Sequence, residues 1–289
     1  MTADLRAQGR LAMAWRRTPR RGLRIIAHRG FRACFPENTR SAFMASLGRS
    51  HMVELDVRLS RDNEVVIYHD DHLERCSNAV EIGPGLGLDT CRVDQWRLDQ
   101  LRHLDLGSWF SPYSHEGQTV LVGAGPMSSY LPSTRESIPT LTETLAWARL
   151  HRMPLNIELK DQGDPVRNSL LVGRVIQRVV AADCTALALL SSFNYDMLRQ
   201  CRSHAPFISR AILYGGEAPT TLLKLLTSID ACACHPDHSR LDAGLVQSLV
   251  QNGYAVHAWT VNDCERWRYL AGCGVTGIIT DYPSLKAVC

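Results

Sequence analysis

Residues 52–59 read MVELDVRL, an apolar run that carries two acidic residues, Glu54 and Asp56, at positions i and i+2. Successive side chains of a β-strand point to opposite faces, so both carboxylates are expected on one face of a strand. Similar short apolar runs recur along the chain. We interpret them as seven further strands, at residues 24–28, 154–160, 185–192, 206–213, 230–235, 254–261 and 275–280.

Segments with helical periodicity separate these strands. We predict helices at residues 38–49, 140–151, 165–182, 194–203, 218–228, 241–252 and 263–272, and a short strand at residues 65–69. Eight strands that alternate with helices predict a parallel sheet of the α/β class, and eight is the number that closes a (β/α)8 TIM barrel. A doubly wound sheet is the alternative. It would need a phosphate-binding loop after the first strand, and the sequence His28-Arg29-Gly30-Phe31 is not one.

One stretch interrupts the alternation. Residues 71–137 contain no clean strand–helix unit, and they include the glycine-rich run GPGLG at positions 83–87. Loops of this length in a compact domain are usually functional lids or disordered inserts. We therefore expect an insertion between the second and third βα units of a barrel that spans residues 24–289.

Charge is distributed unevenly along the 289 residues, whose formal net charge is +3. Residues 1–24 hold seven arginines and one acid, so we predict an Arg-rich N-terminal extension, residues 1–23, that is a solvated tail or makes weak contact with an anionic membrane surface. The remainder has 25 basic against 28 acidic residues, which argues against a nucleic-acid partner.

Cellular context is suggested by two further features. No run reaches the ~18 apolar residues of a membrane span, so we expect no transmembrane segment. The ten cysteines have no regular spacing, so we expect reduced thiols and a cytoplasmic location. The sequence leaves the oligomeric state open.

Polar residues gather where the predicted strands end, which is where barrel enzymes place their catalytic groups. His28 ends the first strand and His69 ends the short strand at residues 65–69. Glu158 and Lys160 lie at i and i+2 near the end of the third strand, and Trp259 lies near the end of the seventh. His235 ends the sixth strand and is a further candidate for the barrel mouth.

Three carboxylates aimed into one barrel mouth, those of Glu54, Asp56 and Glu158, would repel one another unless a cation lay between them. Ligation by oxygen alone favours one hard divalent ion, Mg²⁺, Ca²⁺ or Mn²⁺. Local ion pairs with Arg or Lys are the alternative for each acid. Convergence of all three with two histidines favours the metal.

The remaining charged groups suit phosphate chemistry. Imidazoles titrate near neutral pH, so His28 and His69 are candidates for a general acid and a general base. Arg29 and Lys160 offer positive charge to phosphate oxygens. Together these residues predict phosphoryl transfer from a diester.

An ordered series of motifs resembles the glycerophosphodiester phosphodiesterase family over residues 24–285. The matching segments are AHRG (27–30), PENT (36–39), ELDV (54–57), HDDHLER (69–75), GSWF (107–110), IPTL (138–141), NIELK (156–160), SSF (191–193), WTVN (259–262) and GIITDYP (277–283).

That resemblance implies a TIM barrel with the insertion described above. It implies hydrolysis of a small-molecule glycerophosphodiester, such as glycerophosphocholine, to glycerol 3-phosphate and an alcohol. By motif, His28 and His69 would be the acid/base pair, and the set Glu54, Asp56 and Glu158 would hold the divalent cation. Arg29 and Lys160 would contact phosphate, and Trp259 would wall the substrate site. In the family mechanism the glycerol hydroxyl attacks phosphorus, and water opens the resulting cyclic phosphate.

Residues 118–136 lengthen the gap between two of these motifs and suggest a flap, which leaves substrate choice open. A lysophospholipase D that acts on lysophospholipids would use the insertion as an acyl channel. A barrel that binds phosphodiesters without turnover is a third interpretation.

Overall fold

The computed structural model describes residues 23–110, 135–216 and 219–284. The predicted Arg-rich extension and nearly all of the predicted flap therefore lie outside the described residues. Within these three ranges, no helix combines the length and the apolar character that a bilayer-crossing helix requires.

Eight parallel strands close into a barrel. The strands of the molecule are β1 (Arg24–Ala27), β2 (Met52–Leu59), β3 (Val65–Ile67), β4 (Leu155–Leu159), β5 (Ala188–Ser192), β6 (Ser209–Tyr214), β7 (Ala233–Pro236), β8 (Ala255–Ala258) and β9 (Gly277–Thr280). The order of hydrogen-bonded neighbours in the barrel is β1-β9-β8-β7-β6-β5-β4-β2, and β1 also pairs with β2, so the ring has no free edge. The predicted (β/α)8 TIM barrel is confirmed. Strand β3 stands outside the ring, antiparallel to β2.

Helices connect the barrel strands. Their bounds are Arg40–Ala45, Leu141–His151, Pro165–Ala181, Tyr195–His204, Pro219–Ile229, Ala243–Gln251 and Cys264–Cys273. Most begin at a side chain that caps the free N–H groups of the first turn, as Thr140 and Glu143 do reciprocally before Leu141. The first helix is shorter than predicted at its start. Asn38 has a positive φ of 58° and its side chain bonds Asp56, so Thr39 becomes the cap.

The insertion between β3 and β4 has its own small core. In the described part it forms only short helical pieces, at Glu74–Cys76, Ala79–Ile82, Pro84–Leu86, Val93–Gln95 and Leu98–Leu101. These pieces pack around the fully buried Trp96, with Leu73, Leu101 and Leu104 against it. Because this core includes Val66 of β3, the insertion is anchored to the edge of the β2–β3 hairpin.

Apolar side chains fill the inside of the barrel below its mouth, among them Met52, Leu189 and Ala255. His235 and His257 are also fully buried, with Nδ1 of His257 3.0 Å from Nε2 of His235. The expectation that His235 faces the mouth is wrong, because a neighbouring strand supplies its partner inside the barrel. The expectation of thiols throughout is also wrong at one position: eight described cysteines are free, whereas Cys264 is disulfide-bonded.

Candidate active site

A cavity of about 130 Å³ lies at the carboxyl ends of the barrel strands. Seven of the eight predicted site residues line it: His28, Arg29, Glu54, His69, Glu158, Lys160 and Trp259. The eighth, Asp56, is only 1% exposed and lies beside Glu54 and Glu158. The structure thus brings all eight predicted residues to one place.

Strand register brings the three carboxylates together. Asp56 on β2 is paired with Glu158 on β4, and Glu54 is one inward-facing position before Asp56. Each residue offers one oxygen, and these oxygens all lie within 4.8 Å of one another. This is the only group of three or more candidate metal ligands among the residues that the structure describes.

The pKa values of Glu54 and Asp56 are shifted in opposite directions. Burial, together with the charges of Asp56 and Glu158, raises the pKa of Glu54 well above its ordinary value. Burial would also raise the pKa of Asp56, but the charges of Arg29 and Lys160 outweigh it and lower that pKa. Lys160 Nζ lies 2.6 Å from Glu158 Oε1 and 3.5 Å from Asp56 Oδ1.

Each candidate catalytic histidine has an aspartate on its Nδ1 atom. His28 Nδ1 lies 2.6 Å from Asp281 Oδ1, and His69 Nδ1 lies 2.5 Å from Asp70 Oδ1. A carboxylate at Nδ1 favours the tautomer with its proton there and leaves Nε2 to exchange protons. Burial and the charge of Arg29 lower the pKa of His28, although Asp281 raises it.

Glu37 joins these two pairs through arginines. Its carboxylate lies 2.7 Å from Arg29 Nη1, 3.1 Å from Arg32 Nη2 and 2.7 Å from Arg75 Nη2. Arg75 also pairs with Asp70 at 2.5 Å, and Arg32 approaches Asp281 at 3.6 Å. Glu37 is therefore the centre of an ion-pair network that reaches both histidine–aspartate pairs.

Arg29 and Trp259, the two residues predicted to contact phosphate and substrate, are fixed in place by neighbouring groups. The Arg29 guanidinium contacts Glu37 and lies 3.3 Å from Asp56, and its backbone N–H donates to Glu54 at 2.9 Å. Trp259 Nε1 donates to the carbonyl of His235 at 2.7 Å. Its ring meets Phe193 edge-on, at 5.7 Å between centroids, so the indole is fixed at the cavity wall.

Sequence reasoning missed the roles of Glu37, Asp70 and Asp281. Asp70 follows His69 directly and Asp281 follows the last strand, so their positions at strand ends were available as a signal. Glu37 is at no strand end. Its role depends on Arg29, Arg32 and Arg75, which lie 5 to 38 positions from it, and the sequence does not say which arginines turn towards it.

The closed barrel with its cavity at the carboxyl ends of the strands defines a class of protein, namely TIM-barrel phosphodiesterases. The chain belongs to the glycerophosphoryl diester phosphodiesterase family, whose model matches residues 28–285.

Individual relatives agree with this assignment. YhdW of Bacillus subtilis (strain 168) is 32% identical over 264 residues, which cover 90% of this chain and 94% of YhdW. A glycerophosphodiester phosphodiesterase of Caldanaerobacter subterraneus subsp. tengcongensis is 29% identical over 262 residues, which cover 90% of this chain and 94% of that enzyme. An Oleispira antarctica phosphodiesterase has been solved in complex with the product sn-glycerol-3-phosphate. It superimposes on this chain with a TM-score of 0.76 and is 27% identical in sequence, and the match covers 96% of this chain and 98% of that one.

Proposed function

We propose that this enzyme hydrolyses glycerophosphodiesters to glycerol 3-phosphate and an alcohol, with His28 and His69 as acid and base beside one divalent cation. The observation that carries the proposal is the convergence of three carboxylates and two aspartate-backed imidazoles on one small cavity. The product bound to the Oleispira relative supports the same substrate class.

The acidic cluster fits a hard cation. All its donors are carboxylate oxygens, and two of the three residues are less than 5% exposed. Burial together with like charge makes an ionised Glu54 unfavourable, and a divalent ion would offset both effects. Glu54, Asp56 and Glu158 would hold Mg²⁺, Ca²⁺ or Mn²⁺. When bound, such an ion supplies charge stabilisation for phosphate and hydroxyl oxygens.

We assign the proton transfers of the reaction to His28 and His69. The lowered pKa of His28 keeps its imidazole neutral near pH 7, so we assign it as the base that accepts the proton of the attacking glycerol hydroxyl. That oxygen forms a bond to phosphorus as the bond to the headgroup oxygen breaks. His69, as the acid, protonates the departing alcohol. In the second step the roles reverse, and water opens the cyclic phosphate.

Cationic side chains would orient the phosphate. Lys160 is 14% exposed and lines the cavity, so its ammonium can exchange a carboxylate contact for a phosphate oxygen. Arg29 is held more firmly by Glu37 and Asp56. We assign it a fixed positive charge at the phosphate position, and we assign Trp259 as the substrate wall.

A coupled assay of glycerol 3-phosphate release from glycerophosphocholine tests the proposal. Chelation by EDTA should abolish release, and added divalent ions should restore it. Glu54→Ala should lower the rate by at least about 100-fold, whereas Glu64→Gln, a carboxylate ion-paired with Arg178, should leave it unchanged. Full activity of Glu54→Ala in the presence of EDTA would show that the reaction does not require a divalent cation at this cluster.

Lysophosphatidylcholine in the same assay separates the two candidate substrate classes. Greater activity on the lysolipid than on glycerophosphocholine would favour a lysophospholipase D. Measurable binding of both without release of product would favour a non-catalytic barrel.

A further inference from the structure

A line of polar side chains runs beneath the carboxylates. Asn156 lies two residues before Glu158 on β4, so both side chains point into the barrel and the amide is one step deeper. Asn156 Nδ2 lies 3.5 Å from His235 Nδ1, and His235 Nε2 lies 3.0 Å from His257 Nδ1. All three residues are at most 1% exposed.

Both of these imidazoles are uncharged. Burial lowers the pKa of His235 to about 3, and it holds the pKa of His257 well below its ordinary value. The pair can therefore orient the Asn156 amide without bringing charge beneath the acidic cluster. It lies too deep to serve as an acid or base at the phosphate.

Two buried atoms of this line, Asn156 Oδ1 and His257 Nε2, have no partner among the residues that the structure describes, and of these two residues only Asn156 lines the cavity. Asn156 Oδ1 makes no hydrogen bond to any residue that the structure describes. Buried amide oxygens in folded proteins are normally paired, so this atom calls for an explanation. Asn156 lines the cavity while its Nδ2 faces His235, which leaves Oδ1 for a ligand.

The surroundings indicate which part of a ligand reaches it. Leu213 and Ile279 also line the cavity, and packed apolar side chains close the barrel below. The charged groups that suit phosphate lie nearer the mouth, at Lys160 and the two catalytic histidines. If the phosphate of a diester is held there and the glycerol unit extends inward, the terminal hydroxyl is the polar group that reaches Asn156.

We propose that Asn156 is a specificity-determining residue that accepts a hydrogen bond from the terminal hydroxyl of the glycerol unit, and that His235 is its positioning residue. The inference rests on the proposed function and narrows it. A terminal oxygen that carries an acyl chain has no proton to donate, and the closed floor leaves no space for the chain. The site therefore selects deacylated glycerophosphodiesters over lysophospholipids.

The test compares glycerophosphocholine with an analogue whose terminal hydroxyl is replaced by hydrogen. The analogue keeps the hydroxyl next to the phosphoester, so the attack on phosphorus remains available. Wild type should prefer glycerophosphocholine by about 10- to 100-fold in kcat/KM. Asn156→Ala should lose this preference, with the analogue changed by less than about threefold. The ratio is measured in one preparation, so it does not depend on the folded fraction.

Two further variants complete the design. His235→Gln should reduce the preference while the analogue is hydrolysed as before, because the contacts it disturbs, to the Asn156 amide and to His257 below, do not include the groups at the phosphate. Cys232→Ala, a change elsewhere in the barrel interior, should retain the full preference. Equal losses on both substrates in Asn156→Ala, or a wild type without preference, would overturn the inference.

A binding experiment separates this inference from the proposed function. Calorimetry would compare sn-glycerol 3-phosphate with propane-1,2-diol phosphate on wild type and Asn156→Ala. If wild type hydrolyses neither diester but binds glycerol 3-phosphate more tightly in an Asn156-dependent manner, the proposed function fails and this inference stands. Equal binding of the two phosphates contradicts the role of Asn156.

Discussion

Asp281 Oδ1 lies 2.6 Å from His28 Nδ1, although 253 positions separate the two residues in the chain. Asn262 donates to the other carboxylate oxygen of Asp281 at 2.8 Å, so the acid itself is held in place. Asp281→Asn should lower kcat by about 10²- to 10⁴-fold, because an amide no longer favours the required imidazole tautomer. Steady-state kinetics checks this. Asp196→Asn, a change in an exposed ion pair, is the control and should behave as wild type.

Neighbouring histidines in one loop offer a matched comparison. His69 lines the cavity, whereas His72 is half-exposed and 3.5 Å from Glu74. His69→Ala should reduce kcat by about 10²- to 10⁴-fold, and His72→Ala should stay within about twofold of wild type. Similar losses in the two variants would show that the loop, rather than the His69 imidazole, is what matters.

The ion-pair network around Glu37 should make stability depend on acid pH. Burial alone would raise the pKa of Glu37, but Arg29, Arg75 and Arg32 lower it from 4.5 to about 2. A depressed carboxyl pKa stabilises the fold above pH 4.5, and this contribution, about 3 kcal/mol, is lost as the pH falls towards 2.

Urea unfolding at pH 7, 4 and 3 measures this dependence. Glu37→Gln should be less stable than wild type at pH 7, because three buried or half-buried guanidinium groups lose their shared anion. The difference between the two proteins should shrink at pH 3. A constant difference across the three pH values would assign the stabilisation to another carboxylate.

Gly30 allows the loop after β1 to pass close to the first helix. Its φ is +82°, and a Cβ atom there would lie 2.7 Å from the carbonyl carbon of Ala42. Gly30→Ala should therefore destabilise the protein by about 2–4 kcal/mol. At Gly85 a Cβ atom would meet no heavy atom within 4 Å, so Gly85→Ala is the control. Thermal unfolding of both variants checks the prediction, and equal melting temperatures would refute it.

Trp259 should contribute to binding of a cationic headgroup. Its indole is fixed by His235 and Phe193 at the cavity wall, where a choline ammonium can lie against the ring. Trp259→Ala should raise KM for glycerophosphocholine about 10-fold, and KM for the uncharged-headgroup substrate glycerophosphoglycerol should rise less. An equal rise for both substrates would assign the ring to packing alone.

Much of the fold could be predicted because its signals are local. Alternation of short apolar runs with helical segments is written in the sequence, and a closed ring fixes where each strand end lies. Glu54, Asp56 and Glu158 could be grouped for the same reason, since strand ends in a barrel converge on one mouth. Their register, with Asp56 beside Glu158, is a product of strand pairing and appears only in the structure.

The features that sequence reasoning missed depend on contacts between different elements of the fold. The place of His235 at a strand end predicts that it faces the mouth, yet the side chain of His257 on the next strand holds it inside. Glu37 binds Arg32 of its own loop and Arg75 of the insertion, and no periodicity marks which charged side chains will turn inward. The pairing of β3 with β2 likewise depends on where the chain turns back.

The pairing of β1 with β9 determines when the enzyme can complete its fold during synthesis. His28 is among the first described residues to be synthesised, and its aspartate is among the last. A nascent chain still tethered to the ribosome short of residue 281 lacks both the closing strand contacts and the tautomer-setting acid. Catalytic competence should therefore arise abruptly once the segment through residue 281 has left the ribosome, without partial activity before that point.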